Sequence, residues 1–337
     1  MPLAAIMGCE GTRLTARERA FFRASAPWGF ILFARNVESP AQVGALCAEL
    51  REVAGHDAPI LIDQEGGRVA RLKAPHWREW EPVRALATRE DMDEDARREA
   101  LALRYEMIGA ELLAVGIDVN CAPLADVPVA GAHDIIGDRA LGASAADVAP
   151  RARAVAEGLL AAGVLPVLKH VPGHGRATVD SHEHLPRVDT PLAELRETCF
   201  APFRDLADCA MAMTAHVVFE ALDPDRCATH SPAAIRMIRE ELGLDGLLMS
   251  DDLGMKALKG GFGRRAMEVF AAGCDVVLHC SGDMDEMEEV AGCCPSLAGE
   301  ARRRADAALA QRGGSRGRTL DEMAHAFAAL TREAAHA

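Results

Sequence analysis

Residues 165–185 read LPVLKHVPGHGRATVDSHEHL. The stretch begins as a short apolar run and passes directly into a loop that holds four of the chain's twelve histidines. An unbroken apolar run of this length suits a strand buried on both faces, as in a parallel sheet, rather than a half-exposed strand with alternating polarity. Titratable residues gathered where such a strand ends suit an α/β architecture, in which chemistry sits at the C-terminal ends of the strands.

Seven more runs of the same kind occur: LAAIMG (3–8), GFILFA (29–34), PILIDQ (59–64), IDVNCAP (117–123), MAMTAHV (211–217), GLLMSDD (246–252) and CDVVLHC (274–280). Helical patterns separate them. Thr15 opens one before ARERAFF, and Ser39-Pro40 opens another with Pro at the first helical position. Further helices are predicted over 89–115, 148–162, 192–207, 231–242, 262–272 and 283–311. Eight strand–helix units predict a TIM-type (β/α)8 barrel in the α/β class. A doubly wound sheet is the weaker alternative, because no G-x-G-x-x-G follows the first strand. The whole chain, 1–337, reads as one barrel domain with a C-terminal helical extension from about 312. The loose segment RGGSRGR (312–318) leads into a last helix over 319–335, expected on the barrel exterior.

Composition narrows the function. Half of the 337 residues are hydrophobic and the formal net charge is −14, so a large core is available and no basic face for nucleic acid is indicated. The ten cysteines are irregularly spaced without a C-x-x-C pair, which predicts reduced thiols in a cytoplasmic protein. The opening MPLAAIMGCEGTRLT lacks a basic n-region and turns polar at Glu10, unlike an export signal. No run is long enough to cross a membrane as a helix.

The predicted strand ends carry the candidate chemistry. The third ends in Asp63 and runs on as QEGGR; the fifth ends in Lys169-His170, the sixth in His216, and the seventh in Ser250-Asp251-Asp252. Each has a bland alternative. Asp63, or one of Asp251 and Asp252, would serve as a helix N-cap, His216 as a satisfied structural histidine, and the glycines of PGHG and EGGR as turn residues. Adjacent strand residues face opposite sides, so only one of Asp251 and Asp252 can point into a pocket. For the opening loop, one alternative is a metal site built from His170, His174, His182, His184 and Asp180; no H-E-x-x-H supports it. The other is proton transfer. Asp180 and His182 are two residues apart, so in an extended loop both side chains would face one way and the carboxylate would hold the imidazole. Gly173 and Gly175 would let that loop move.

These residues carry a resemblance. ILFARN (31–36), IDQEGGRVARL (62–72), NCAPLADV (120–127), IIGDRALG (135–142), KHVPGHGRATVDSHEHLP (169–186), MTAHVVF (213–219) and LGLDGLLMSDDLGM (242–255) resemble, in order, the motifs of the bacterial β-N-acetylhexosaminidases of glycoside hydrolase family 3. The single-domain length is similar to the cytoplasmic peptidoglycan-recycling branch. The resemblance implies a retaining exo-β-N-acetylglucosaminidase that acts on muropeptides, with Asp251 as nucleophile and His182, held by Asp180, as acid/base. It implies sugar binding by Asp63, Arg71, Arg139, Lys169 and His170. His174 and His216 would line or support the pocket, Arg68 would do either, and His184 would be a solvated loop residue. No cofactor or metal is implied. The expected partner is a small carbohydrate or muropeptide, with no nucleic acid or membrane and a monomeric state. Ala125 and Ala140 stand where bulkier residues are expected, and Gly254 where Ser is common. Two competing activities remain: a β-N-acetylglucosaminide phosphorylase and a metal-dependent barrel hydrolase.

Overall fold

A computed structural model describes residues 1–313 and 317–333. The eight apolar runs all form strands: β1 (Leu3–Met7), β2 (Pro27–Leu32), β3 (Ile60–Ile62), β4 (Val119–Asn120), β5 in two segments (Leu165–Pro166 and Leu168–Val171), β6 (Met211–Thr214), β7 (Leu247–Asp252) and β8 (Val276–His279). Every pairing among them is parallel. The strand order starts with the first segment of β5, runs through β4, β3, β2, β1, β8, β7 and β6, and returns to the second segment of β5. The barrel therefore closes through its interrupted fifth strand.

Two apolar layers explain why the runs are continuous. Ile6, Ile31, Leu61, Val119, Leu165, Val167, Met213, Met249 and Leu278 pack together inside the barrel. Their strand neighbours Met7, Leu32, Ile62, Leu168, Ala212, Leu248 and Val277 pack outward against the helices. Both faces are buried, so the period-2 alternation separates two apolar environments rather than core from water.

The helices are α1 (Ala16–Ser25), α2 (Pro40–Ala54), α3 (Val83–Ala87), α4 (Glu94–Leu113), α5 (Ala145–Ala162), α6 (Leu192–Glu197), α7 (Ala201–Asp205), α8 (Pro232–Glu240), α9 (Phe262–Ala272), α10 (Met284–Ala291), α11 (Gly299–Leu309) and α12 (Leu320–Glu333). Thr15 and Glu18 form a reciprocal capping box on α1, and Ser39 caps α2 ahead of Pro40. Each such cap stabilises its helix by about 1 kcal/mol. Helices α4 and α5 touch backbone to backbone: a Cβ on Gly158 would lie 2.2 Å from the carbonyl oxygen of Ala102.

Several expected boundaries are corrected. The helix expected over 89–115 starts only at Glu94, where Asp93 caps it. The stretch 192–207 divides into α6 and α7, with Pro202 in the first turn of the second. The stretch 283–311 divides into α10 and α11 around Pro295, whose carbonyl accepts from the N–H of Ala4. A hairpin, Gln64–Gly66 with Val69–Ala70, follows β3, and a small parallel pair joins Arg187–Val188 to Val218–Phe219. Residues 314–316 of the expected loose segment and the last two positions of the expected final helix lie outside the described residues. Helix α12 packs Met323 against Leu103 and Met107 of α4. No helix among the described residues is long and apolar enough to cross a membrane, and all ten cysteines are free thiols.

Candidate active site

The inward phase of three strands carries polar residues to one end of the barrel. Leu61 is followed two positions later by Asp63, Val167 by Lys169, and Met249 by Asp251. All three line a cavity of about 400 Å3, together with Arg71, Arg139, His170 and His182. The phase also separates the two adjacent carboxylates. Asp252 stands in the outward phase with Leu248 and Ser250. It borders the cavity, but its Oδ1 accepts the N–H groups of Gly254 and Cys280, both at 3.0 Å.

One wall is a buried charge network. Lys169 Nζ lies 2.9 Å from Asp63 Oδ1 and 2.7 Å from Glu65 Oε1. Arg71 reaches Asp63 Oδ2 at 3.1 Å. Arg139 grips Glu65 with two parallel bonds of 2.9 and 2.8 Å, the strong bidentate geometry of guanidinium and carboxylate. Asp63 is thus not a helix cap; a hairpin follows it. Burial pushes the Asp63 carboxyl up, but Lys169 and Arg71 outweigh it and hold the group well below the usual carboxylate range. Glu65 is lowered in the same way by Arg139 and Lys169. The Glu65 backbone is itself anchored, since Arg104 and Tyr105 both donate to its carbonyl.

The histidines divide into separate tasks. His170 Nδ1 donates to Asp126 Oδ2 at 2.8 Å, which leaves Nε2 on the cavity side. Asp126 Oδ1 also accepts the N–H of His174 at 2.6 Å. His174 and His216 stand behind the cavity rather than lining it. His174 Nε2 meets Ser181 Oγ at 2.8 Å, and burial with the neighbouring His170 pushes its pKa down to about 4. His216 Nε2 donates to the Asp252 carbonyl at 3.0 Å, so Nδ1 accepts from the Thr229 hydroxyl at 2.8 Å. Burial lowers its pKa as well. His184 is exposed on the loop. Among the described residues, no group of three or more His, Cys, Asp or Glu side chains is placed to hold a metal ion.

The Asp180–His182 pair forms, but not in an extended loop. Asp180 Oδ1 accepts both the backbone N–H and the Nδ1–H of His182, each at 2.8 Å. The Asp180 carbonyl accepts from Glu183 and His184. Residues 180–184 are therefore a turn, and a local side-chain-to-backbone bond brings the two groups together. Burial raises the Asp180 carboxyl, and the two His182 donors outweigh that and lower it. The PGHG glycines are closely packed in this conformation. Gly173 and Gly175 are buried, and a Cβ on Gly175 would lie 1.9 Å from the Val127 carbonyl oxygen. The far end of the loop is pinned where Arg187 pairs with Val218.

Asp251 is half-buried at the end of β7, beside histidines and the Asp252 N–H, which donates to its Oδ1 at 2.8 Å. Burial raises its carboxyl, but His170, His216, the Asp252 N–H and His182 outweigh it and hold the group below its usual range. The site thus combines an ionised carboxylate, a facing imidazole oriented by a second carboxylate, and a charged wall suited to hydroxyl groups. Arg68 sits at the mouth, bonded to Asp138 at 2.8 Å and to the Ile135 carbonyl at 2.9 Å. Glu65, Asp126 and Ser181 were not among the expected site residues. The strand phase that selects Asp63 also selects Glu65, two residues on. Asp126 offered a signal as a lone carboxylate within the apolar PLADVPV.

Comparison with known proteins fits this geometry. The family model described as "Glycosyl hydrolase family 3 N terminal domain" matches residues 13–310. A β-hexosaminidase of Alkalilimnicola ehrlichii is 40% identical over 284 residues, covering 82% of this chain and 80% of its own length. That of Nitrosomonas eutropha is 35% identical over 289 residues, with coverages of 85% and 82%. The crystal structure of NagZ from Neisseria gonorrhoeae in complex with N-trifluoroacetyl-D-glucosamine is similar with a TM-score of 0.87 and 29% identity. The match covers 99% of this chain and 98% of that one.

Proposed function

The chain belongs to glycosyl hydrolase family 3 and is a glycoside hydrolase of the β-hexosaminidase type; on that premise we propose that it is a retaining exo-β-N-acetylglucosaminidase acting on muropeptides. The observation that supports this reading most is the pair of Asp251 and His182 on one cavity, with Asp180 at 2.8 Å behind the imidazole. A cavity of about 400 Å3 suits one terminal sugar.

Asp251 attacks the anomeric carbon as the glycosidic bond breaks. His182 Nε2 gives its proton to the leaving oxygen, and Asp180 stabilises the imidazole in the required orientation. In the second half-reaction His182 takes a proton from water, and the hydroxide displaces Asp251 from the glycosyl ester, so configuration is retained. Asp63, Arg71, Arg139, Lys169 and His170 hold the sugar hydroxyls and acetamido group by charge-assisted bonds, with Glu65 fixing Arg139 and Lys169. The substrate in this reading is a terminal β-linked N-acetylglucosamine on an anhydro-muramoyl peptide, cleaved in the cytoplasm during peptidoglycan recycling. The protein works as a single-domain monomer without cofactor.

The test is turnover of a chromogenic aryl N-acetyl-β-glucosaminide before and after exhaustive chelation, with the anomer of the first product read by NMR. Unchanged turnover with β product supports the proposal; α product, or activity lost with a metal, overturns it. A second reading, phosphorolysis, is favoured by one feature: a neutral imidazole does not repel phosphate as a second carboxylate would. Sugar 1-phosphate formed in phosphate buffer would establish that reading instead.

A further inference from the structure

Arg104 of α4 stands behind the charged wall of the cavity and is only 2% exposed. Its described hydrogen bonds go to carbonyl groups, not to a carboxylate. Nη2 donates to the Glu65 carbonyl at 3.1 Å and to the Glu81 carbonyl at 2.6 Å, and Nε is buried without a partner. The guanidinium also lies over the rings of Trp80 and Tyr105, 5.2 and 5.7 Å from their centroids. The Glu81 carboxylate attracts it from beyond ion-pair distance, and burial still pushes its pKa down. Burying a charge without a bonded counter-ion is costly, and an apolar side chain of similar size would fill the space without that cost. Stability therefore gives no reason for an arginine here.

The hairpin after β3 gives the reason. Gly66 has a φ of +103°, and a Cβ on it would lie 2.2 Å from Arg104 Nη2. The first glycine of EGGR thus leaves the room that the guanidinium occupies. The next, Gly67, donates its N–H to the Trp80 carbonyl at 2.8 Å. The hairpin turn is clamped between α4 and the segment 80–82, and three side chains of the cavity depend on where it lies. Glu65 bonds Lys169 at 2.7 Å and Arg139 at 2.8 Å. Arg68 borders the mouth, and Arg71, directly after the hairpin, reaches Asp63. Helix α12 forms the outer side of the clamp. Phe327 meets Trp80 edge-on with ring centroids 5.6 Å apart, and Arg78 lies over both rings. A line of direct contacts therefore runs from Phe327 through Trp80 and Arg104 to Glu65.

We propose that Arg104 is a positioning residue for sugar binding, and that α12, by enclosing it through Phe327 and Trp80, sets the affinity of the site from outside the barrel. The proposal rests on the exo-β-N-acetylglucosaminidase reading, in which Lys169 and Arg139 hold the sugar and Glu65 fixes both. Arg104 touches no reacting atom. It acts by holding the Glu65 peptide, and with it the hairpin, against α4. Contacts of this kind serve the bound substrate and the transition state alike, so their loss raises KM and leaves kcat in place.

The test compares the wild type with Arg104→Met, Arg104→Lys and Phe327→Ala on an aryl N-acetyl-β-glucosaminide, with N-acetylglucosamine as competing inhibitor and thermal unfolding as the folding check. In Arg104→Met, KM rises about tenfold and kcat stays within about twofold, and the inhibition constant of N-acetylglucosamine rises by the same factor as KM. Arg104→Lys recovers part of the loss, to about threefold, because an ammonium still donates to a carbonyl but lacks the fork and the flat face. Phe327→Ala, altered only on the outer helix, raises KM and the inhibition constant about threefold. Unchanged KM and inhibition constant in folded Arg104→Met overturn the positioning role, as does a loss confined to kcat. If Arg104→Met does not fold, Phe327→Ala decides, and unchanged values there overturn the proposal. Wild-type failure on the aryl glycoside overturns the activity reading instead, so the two failures are distinguishable.

Discussion

The backbone N–H of Lys256 donates to the carbonyl oxygen of His182 at 3.2 Å. Two residues that follow different barrel strands are thereby joined: His182 on the loop after β5, and Lys256 on the loop after β7, five residues beyond Asp251. The Lys256 ammonium adds a 2.7 Å ion pair to Glu183. Both halves of the proposed catalytic pair are thus tied across the mouth of the cavity.

The ion pair is an exposed part of this tie, with side chains 69% and 56% accessible. Such pairs contribute at most about 1 kcal/mol and weaken with salt. Lys256→Met is therefore expected to lower kcat/KM on an aryl glycoside by up to about fivefold at low ionic strength. The deficit should shrink as salt is added, because the wild type loses the same contact. A deficit independent of salt would mean that the pair does not hold the turn in place.

Asp251 and Asp252 are expected to respond differently to the same change. Asp251→Asn removes the proposed nucleophile and should lower kcat by at least about 1000-fold in a folded protein. Asp252→Asn keeps a carbonyl oxygen able to accept from Gly254 and Cys280, and should cost about tenfold or less. Steady-state kinetics on both variants decide this, with thermal unfolding as the folding check. Comparable losses would contradict the assignment drawn from the strand phase.

His182→Ala should depend on the leaving group. An aryl oxygen with a good leaving group departs without a proton, whereas a sugar hydroxyl needs one. The variant is expected to keep far more of its activity on a nitrophenyl glycoside than on a disaccharide. Equal loss on the two substrates would remove His182 from the acid role.

His174 provides a pH-dependent stability signature. Its folded pKa is lowered from 6.5 to about 4. Between those values the unfolded chain binds a proton that the folded protein excludes, so stability is fully present above 6.5 and falls as the pH drops toward 4. The full contribution is at most roughly 3 kcal/mol. Thermal midpoints across this interval should fall less steeply in His174→Gln. His230, also held down to about 4, contributes over the same range, so the slope is reduced rather than abolished. An unchanged slope in the variant would show that His174 is not excluded from protonation as its burial requires.

Much of the barrel could be read directly from sequence. Eight continuous apolar runs separated by capped helical patterns permit few architectures, and each run became a strand. Thr15 and Ser39 marked their helix starts because capping depends on neighbours a few residues away. Asp180 and His182 could be paired from sequence for the same reason, although a turn rather than an extended segment joins them.

What the sequence determined about this protein was local chemistry: apolar runs, caps, and clusters of titratable side chains in a recognisable order. Tertiary structure alone decided which way those side chains face. A run buried on both sides shows no polar alternation, so only closure of the ring made Leu61, Val167 and Met249 inward and carried Asp63, Lys169 and Asp251 to the cavity. The same closure bonded Glu65 to Arg139, 74 positions away, and Asp126 to His170, 44 positions away. Such pairings depend on distance in space, because a buried charge is stable only where its partner is within bonding reach.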